Sequence, residues 1–289
     1  MWDSGIHFKV YREIVEGKVK LPNLSENTMK IRQILSNPNY QMMDLKSPLS
    51  ANPELAALIL QTANSSQYYG IAPVETISEG IIRLGSEQVT SLLLAHSLKG
   101  LFLSGHLPSQ HLIRGLWEEN LQIAALCSAI TQRIQYRDRS FAEDKALLAG
   151  SLYHIGTLIL LGYLYEKRLP QPTGAEVRRI PEHIATSIAV ILAKTWHLDD
   201  ELIECARNRN SYNVRRPGPV VLQDILDTAV VIHKHHHHGD CSVPSLADCH
   251  AFNKLQTHHL IRDSANSFFG AVEAHAIQIL KEISRNLKS

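Results

Sequence analysis

The chain lacks an excess of charge of either sign. Its 289 residues carry 29 Lys and Arg against 28 Asp and Glu, a net charge of +1. That balance excludes a global attraction to nucleic acid or to an anionic membrane and leaves only a local basic patch open. Cysteine is scarce. Cys127, Cys205, Cys241 and Cys249 include no CxxC pair, which removes a zinc ribbon. Cys127 and Cys205 fall in apolar helical contexts and read as reduced core thiols. A Cys241–Cys249 pairing has no support in a chain of otherwise cytosolic character. The longest apolar run, near Leu158–Leu164, is much shorter than a bilayer span. Met1–Val10 carries Asp3 early and is not a secretory signal. There is no Walker loop, dinucleotide-binding glycine fingerprint or GxSxG elbow. The expectation is a cytoplasmic protein with no membrane association.

What is present is helical periodicity. Apolar residues are 44% of the chain and charged residues 20%, ample for a buried core. Apolar positions recur at three- and four-residue spacing and no alternating strand pattern stands out, so the fold class is all-α. Asn52-Pro53 supplies an N-cap and a first-turn proline for a helix running to about Ala63. Thr76-Ile77-Ser78-Glu79 is a capping box for a short helix that stops at Gly85, and Ser86 starts the next, to about Leu103. Longer helices are predicted over about 108–136, 141–164, 181–196, 219–234 and 266–287, with one more starting near Asp199 or Asp200. The loops are Pro170–Gly174 and the arginine- and proline-rich Asn208–Pro219. The chain reads as one compact helical body, and any division would fall near residues 100–110, with Ser104–Pro108 as the seam.

Three segments together carry a family resemblance. The first is Leu21-Pro22-Asn23-Leu24 with the Asn37-Pro38 turn. The second runs from Leu60 through Ala63-Asn64-Ser65 and Tyr68-Tyr69-Gly70, then from Ile77 to Leu84-Gly85. The third is Trp117 on a long helix, followed by Ala149-Gly150-Ser151-Leu152-Tyr153-His154-Ile155-Gly156. Together they resemble the HDOD family, helical relatives of the HD metal phosphohydrolases. The resemblance covers about residues 20–200 and implies a compact HD-like fold, with an HDOD-like domain over 21–200. Outside it the expectation is an N-terminal helix over 1–20 and C-terminal helices over 201–289 completing or packing on the same body. It also implies signal transduction in bacteria. Asn64, Ser65, Tyr68, Tyr69 and Trp117 are then the family-motif residues that would line a ligand groove. Without any family, Asn64 and Ser65 read as the end of a helix, bonding nearby backbone at a structural corner that Tyr68 and Tyr69 cover.

HD phosphohydrolases bind divalent metals through several histidines and aspartates, and the metal activates water. The resemblance matches His154 to the histidine of the namesake pair, His183 to a later helical histidine and Asp227 to a late aspartate. Ile155 stands where the pair's aspartate would be, and an aliphatic side chain offers no lone pair. The position of a later histidine pair reads Asn208-Arg209-Asn210, and a guanidinium opposes a divalent cation. At most three ligands remain, so no metal or other cofactor is expected beyond weak divalent binding. His154 and His183 then read as hydrogen-bonded core histidines.

Two further constellations stand out among the 16 histidines and the basic residues. His235, His236, His237 and His238, just after His233-Lys234, form an internal run that reads as a solvated helix end with adventitious metal affinity. Arg207, Arg209, Arg215 and Arg216, with Tyr212 among them, read as a solvated loop or as an anion grip. The expected function is a non-catalytic regulatory module acting on an unknown signalling protein or small ligand. The alternatives are a metal-dependent phosphohydrolase with an incomplete ligand set, and nucleotide or nucleic-acid binding through the 207–216 loop, nucleic acid being the less favoured. Oligomeric state is not legible in the sequence.

Overall fold

The computed structural model describes residues 9–10, 12–14, 16–18, 24–50, 52–65, 68, 72–103, 110–135, 138, 140–177, 180, 182–237 and 243–288. Among the described residues the chain is helical and has no strand, as the periodicity predicts. It divides into two units. The smaller comprises residues 23–101 and 277–289, and the larger comprises 1–22 and 102–276. The predicted seam at Ser104–Pro108 lies outside the described residues.

The smaller unit is built from α1 (Glu26–Leu35), α2 (Met42–Ser50), α3 (Pro53–Ala63), α4 (Ile77–Leu84) and most of α5 (Ser86–Leu103). Its helix starts follow the local signals. The Asn52 side chain accepts from Leu55 N at 3.1 Å, with Pro53 opening α3. Thr76 and Glu79 complete their reciprocal capping box. Gly85 ends α4 at φ +82°, a region that side chains avoid. Ile31, Leu55, Ile59, Ile81 and Leu93 are fully buried in one cluster.

The larger unit contains α6 (Gln110–Gln135), α7 (Glu143–Ser151), α8 (Ile155–Glu166), the short α9 (Gly174–Val177), α10 (Glu182–Thr195), α11 (Asp200–Arg207) and α12 (Leu222–Ile232). A π-turn (His233–His237), a 3-10 turn (Leu246–Asp248), α13 (His250–Thr257) and the first part of α14 (Ala265–Lys288) follow. Helix α12 is its axis, since every residue from Leu222 to Ile232 is buried.

One predicted helix is corrected. The run expected as a single helix to Leu164 is broken at Leu152–His154 into α7 and α8. Tyr153 N and Ile155 N reach back only three residues, to Gly150 O and Leu152 O. The His154 N–H leaves the helix ladder for the Asn120 side chain, at 2.8 Å. The two glycines flanking the break permit close helix contact. A Cβ on Gly150 would lie 2.5 Å from Ala124 Cα, and one on Gly156 would lie 1.9 Å from Ala185 O. Apolar periodicity does not register this break, because both sides of it stay buried.

By length and composition, Glu143–Glu166 is apolar enough to span a membrane, more than the short run Leu158–Leu164 suggested. Yet 83% of its apolar window is buried inside the protein. Core packing accounts for its hydropathy. The thiols of Cys127, Cys205 and Cys249 are free and buried, so Cys249 forms no bridge, and Cys241 lies outside the described residues. Burial raises the pKa of all three thiols, which keeps them protonated and unreactive.

Candidate functional site

The break between α7 and α8 brings Tyr153 and His154 to the edge of a buried polar cluster in the larger unit. His154 is the N-terminal cap of α8. Its ring Nε2 lies 2.9 Å from the Glu119 carboxylate on α6. Burial lowers its pKa, the Glu119 bond opposes that shift, and Arg209 and Lys234 add to it. The ring is therefore neutral at pH 7. Ile155, the residue after it, is 2% exposed and packs in the core.

Arg209 follows α11 and turns inward. Its side chain is 9% exposed. Nη1 donates to the Tyr153 carbonyl at 3.0 Å and to the Thr157 hydroxyl at 3.2 Å. Nε lies 2.7 Å from the Glu182 carboxylate at the start of α10. The guanidinium also sits 5.0 Å from the centre of the Tyr153 ring, a cation–π distance. Lys234, in the π-turn that extends α12, lies 5.8 Å from the same ring and 5.4 Å from that of Tyr212. Asn210 ties these groups together. It adopts a left-handed conformation, φ 62°, which asparagine tolerates better than most residues. Its Oδ1 accepts from the Tyr153 hydroxyl and, at 2.8 Å, from Lys234. Tyr153 is buried, and desolvation pushes its hydroxyl pKa well up, so it stays a donor. Tyr153, Cys205, Arg209 and Leu226 help line a cavity of about 10 Å³, room for about one water molecule.

Deeper on α12, Asp227 and Asp224 are held by cations of the chain itself. Arg216 Nη1 lies 2.7 Å from Asp227 and 3.8 Å from Asp224. Gln223 donates to the other Asp227 oxygen at 2.8 Å. Lys254 reaches Asp224 at 2.7 Å, and Asp224 also accepts from Val221 N at the helix start, at 3.0 Å. Arg216 further bonds the Ser211 hydroxyl, which donates in turn to the Asn208 carbonyl. Burial raises the Asp227 pKa to about 6 against the pull of Arg216, so it is ionised at pH 7. Each buried charge is thus paired, as a low-dielectric interior requires.

The HDOD domain family model matches residues 21–212. The chain belongs to the HDOD family. Three solved structures share its HD-like fold at low identity. One is an HDOD protein of unknown function from Geobacter sulfurreducens, with 16% identity, TM-score 0.68, and 98% of this chain and 99% of that chain covered. Another, from Shewanella amazonensis, is named as a candidate metal-dependent phosphohydrolase, with 17% identity, TM-score 0.73 and 94% and 98% covered. The third, from Marinobacter aquaeolei, is named as a candidate signal transduction protein, with 18% identity, TM-score 0.58 and 97% and 66% covered. No curated protein matches the chain.

Against that HDOD background the sequence candidates fall into separate places. Asn64 caps the end of α3, and its amide takes both backbone groups of Val74, N at 2.7 Å and O at 2.9 Å. Ser65 follows it, and Tyr68 packs on the core of the smaller unit. Tyr69 lies outside the described residues. Trp117 is buried in α6 of the larger unit. Among the described residues, no three His, Cys, Asp or Glu side chains come together as a metal-binding group. His183 is exposed on α10, which corrects its reading as a core histidine.

The solvated reading of 208–219 holds for Asn213–Arg215 and Pro217–Pro219, which are exposed, and is corrected at Arg209 and Arg216. Arg209 and Arg216 are internal, while Arg207 pairs with Glu204 at the surface and Arg215 is exposed. The His run begins inside the fold, with His233 buried and His235 half-buried. The side chains of His236 and His237, and all of His238, lie outside the described residues. Sequence reasoning missed Glu119, Asn120, Tyr153, Glu182, Asn210 and Lys234 as site residues. Lys234 was hidden by the histidines around it. The others carry no local signal, because they meet only through helix packing.

Proposed function

We propose that the chain is a non-catalytic regulatory module of signal transduction. It works in the cytoplasm by binding a protein or a small ligand, without a metal cofactor. The observation that carries this reading is the pairing of Asp227 with Arg216. A guanidinium stands against the carboxylate that would be the late metal ligand, and Lys254 neutralises its neighbour Asp224. His154 has Glu119 as its ring partner, and Ile155 offers no donor atom. This donor set does not fit a divalent cation, which needs converging oxygen or nitrogen ligands and an open coordination position. The shared fold with a candidate signal transduction protein is compatible with the reading, but a fold alone does not assign an activity.

The test is an assay on purified protein in which His235–His238 are replaced, so that the run contributes no metal affinity of its own. The protein is supplied with Mn²⁺, Fe²⁺ or Zn²⁺ and offered phosphate monoesters, phosphodiesters and nucleotides. The expected outcome is no turnover and no stoichiometric metal. Turnover that disappears in His154→Ala overturns the proposal in favour of a phosphohydrolase with an altered ligand set.

A further inference from the structure

Arg209 is nearly buried, yet its acidic partner is not. Glu182 is 45% exposed, while the Arg209 side chain is 9% exposed. Such a half-hydrated carboxylate adds little net stability. The contact is also imperfect. Nε and the carboxylate are 2.7 Å apart, but the buried Nε–H has no in-line acceptor. The guanidinium fork matches a phosphate group better, through two parallel hydrogen bonds. A second cation contacts the same aromatic ring. Lys234 shares the Tyr153 ring with Arg209 and reaches the ring of Tyr212, which extends the aromatic wall. The π-turn that carries Lys234 is a distortion frequently found at functional sites. Left-handed Asn210 fixes the geometry by accepting from both Lys234 and Tyr153.

We infer that Arg209 and Lys234 form a metal-independent receptor for a small phosphate-bearing anion, with the Glu182 carboxylate as an internal plug that the anion displaces. The inference rests on the reading of the chain as a binding module and names its ligand class. Tyr212 adds a flat apolar surface suited to the base of a mononucleotide, and free inorganic phosphate would use the same two cations.

The experiment is calorimetric titration of the full chain with inorganic phosphate, at ionic strength held constant with chloride. Saturable binding is expected. Glu182→Gln should tighten it about fivefold by removing the competing charge. Lys234→Met should weaken it roughly tenfold or more. Both substitutions leave Arg209 and its bonds to Tyr153 and Thr157 in place, and circular dichroism verifies that each variant is folded. Adenosine monophosphate replaces phosphate in a second arm. Tighter binding that Tyr212→Ala abolishes identifies a nucleotide, and equal binding identifies phosphate alone. A silent titration in both the parent and Glu182→Gln overturns the inference, as does an affinity that neither variant changes. If those titrations are silent and no ester is turned over, the anion receptor alone fails. If esters are turned over, the non-catalytic reading fails whatever the titration shows.

Discussion

The Asn64 corner, exposed on the smaller unit, and the Arg209–Asp227 cluster, largely buried in the larger unit, both depend on polar side chains. They use them differently. At the corner, one neutral amide closes a ring with the backbone of Val74, and Arg83 adds bonds to Ala63 O and Ala72 O. Every partner there is a main-chain group, so the side chains serve the path of the chain. In the cluster, the partners include charged side chains from helices α10, α12 and α13 and from the 208–216 segment, beside neutral groups such as Thr157 and Gln223. Buried ion pairs cost desolvation and are weak evidence of added stability. The corner therefore reads as structure, and the cluster as a place where charge is kept for use.

Three perturbations sharpen that comparison. The largest effect is expected at Arg216. Arg216→Ala leaves buried Asp227 without its cation, while Lys254 still holds Asp224, and should cost about 3–5 kcal/mol of stability in urea unfolding. A loss below about 1 kcal/mol would place these charges in a wetter environment than their burial implies. An intermediate effect is expected at Asn64. Asn64→Ala strands the Val74 N–H and C=O and should cost about 1–3 kcal/mol, with phosphate affinity unchanged. A shift in that affinity would erase the distinction between corner and cluster.

The smallest effect concerns pH. Burial holds the His154 pKa below its ordinary value of 6.5. A depressed base means that the unfolded chain binds the proton more tightly. The stability it contributes is present above pH 6.5 and lost as pH falls through the lowered folded value. His154→Gln should flatten this acid limb in a series of unfolding midpoints. Asp227 works in the opposite sense. Its pKa is raised from 3.8 to about 6, so its contribution is full below the lower value and lost as pH rises through the upper one. The difference between parent and His154→Gln isolates the histidine, and a flat difference across that range would show that His154 is solvated.

The two regions were unequally legible in the sequence. The helix starts at Asn52 and Thr76 and the stop at Gly85 were readable, because capping depends on residues three or four apart. Asn64 was readable as a helix end for the same reason. The charged cluster was not. Arg209 and Arg216 sit in a stretch rich in proline, arginine and glycine, which by composition is a surface loop. Only the docking of that stretch against α8 and α12 reveals the buried partners Tyr153, Thr157 and Asp227. His183 failed in the reverse direction, since a histidine near an apolar helical stripe gives no sign of the face it takes.

The sequence by itself determined the helical class and the family, because periodicity and motif spacing are local properties. The tertiary structure alone decided which charges meet. Pairing Arg216 with Asp227, and Arg209 with Glu182, requires the 208–216 segment to bring its guanidinium groups within about 3 Å of carboxylates on two helices, and Coulomb energy there depends on distance and burial rather than on order along the chain.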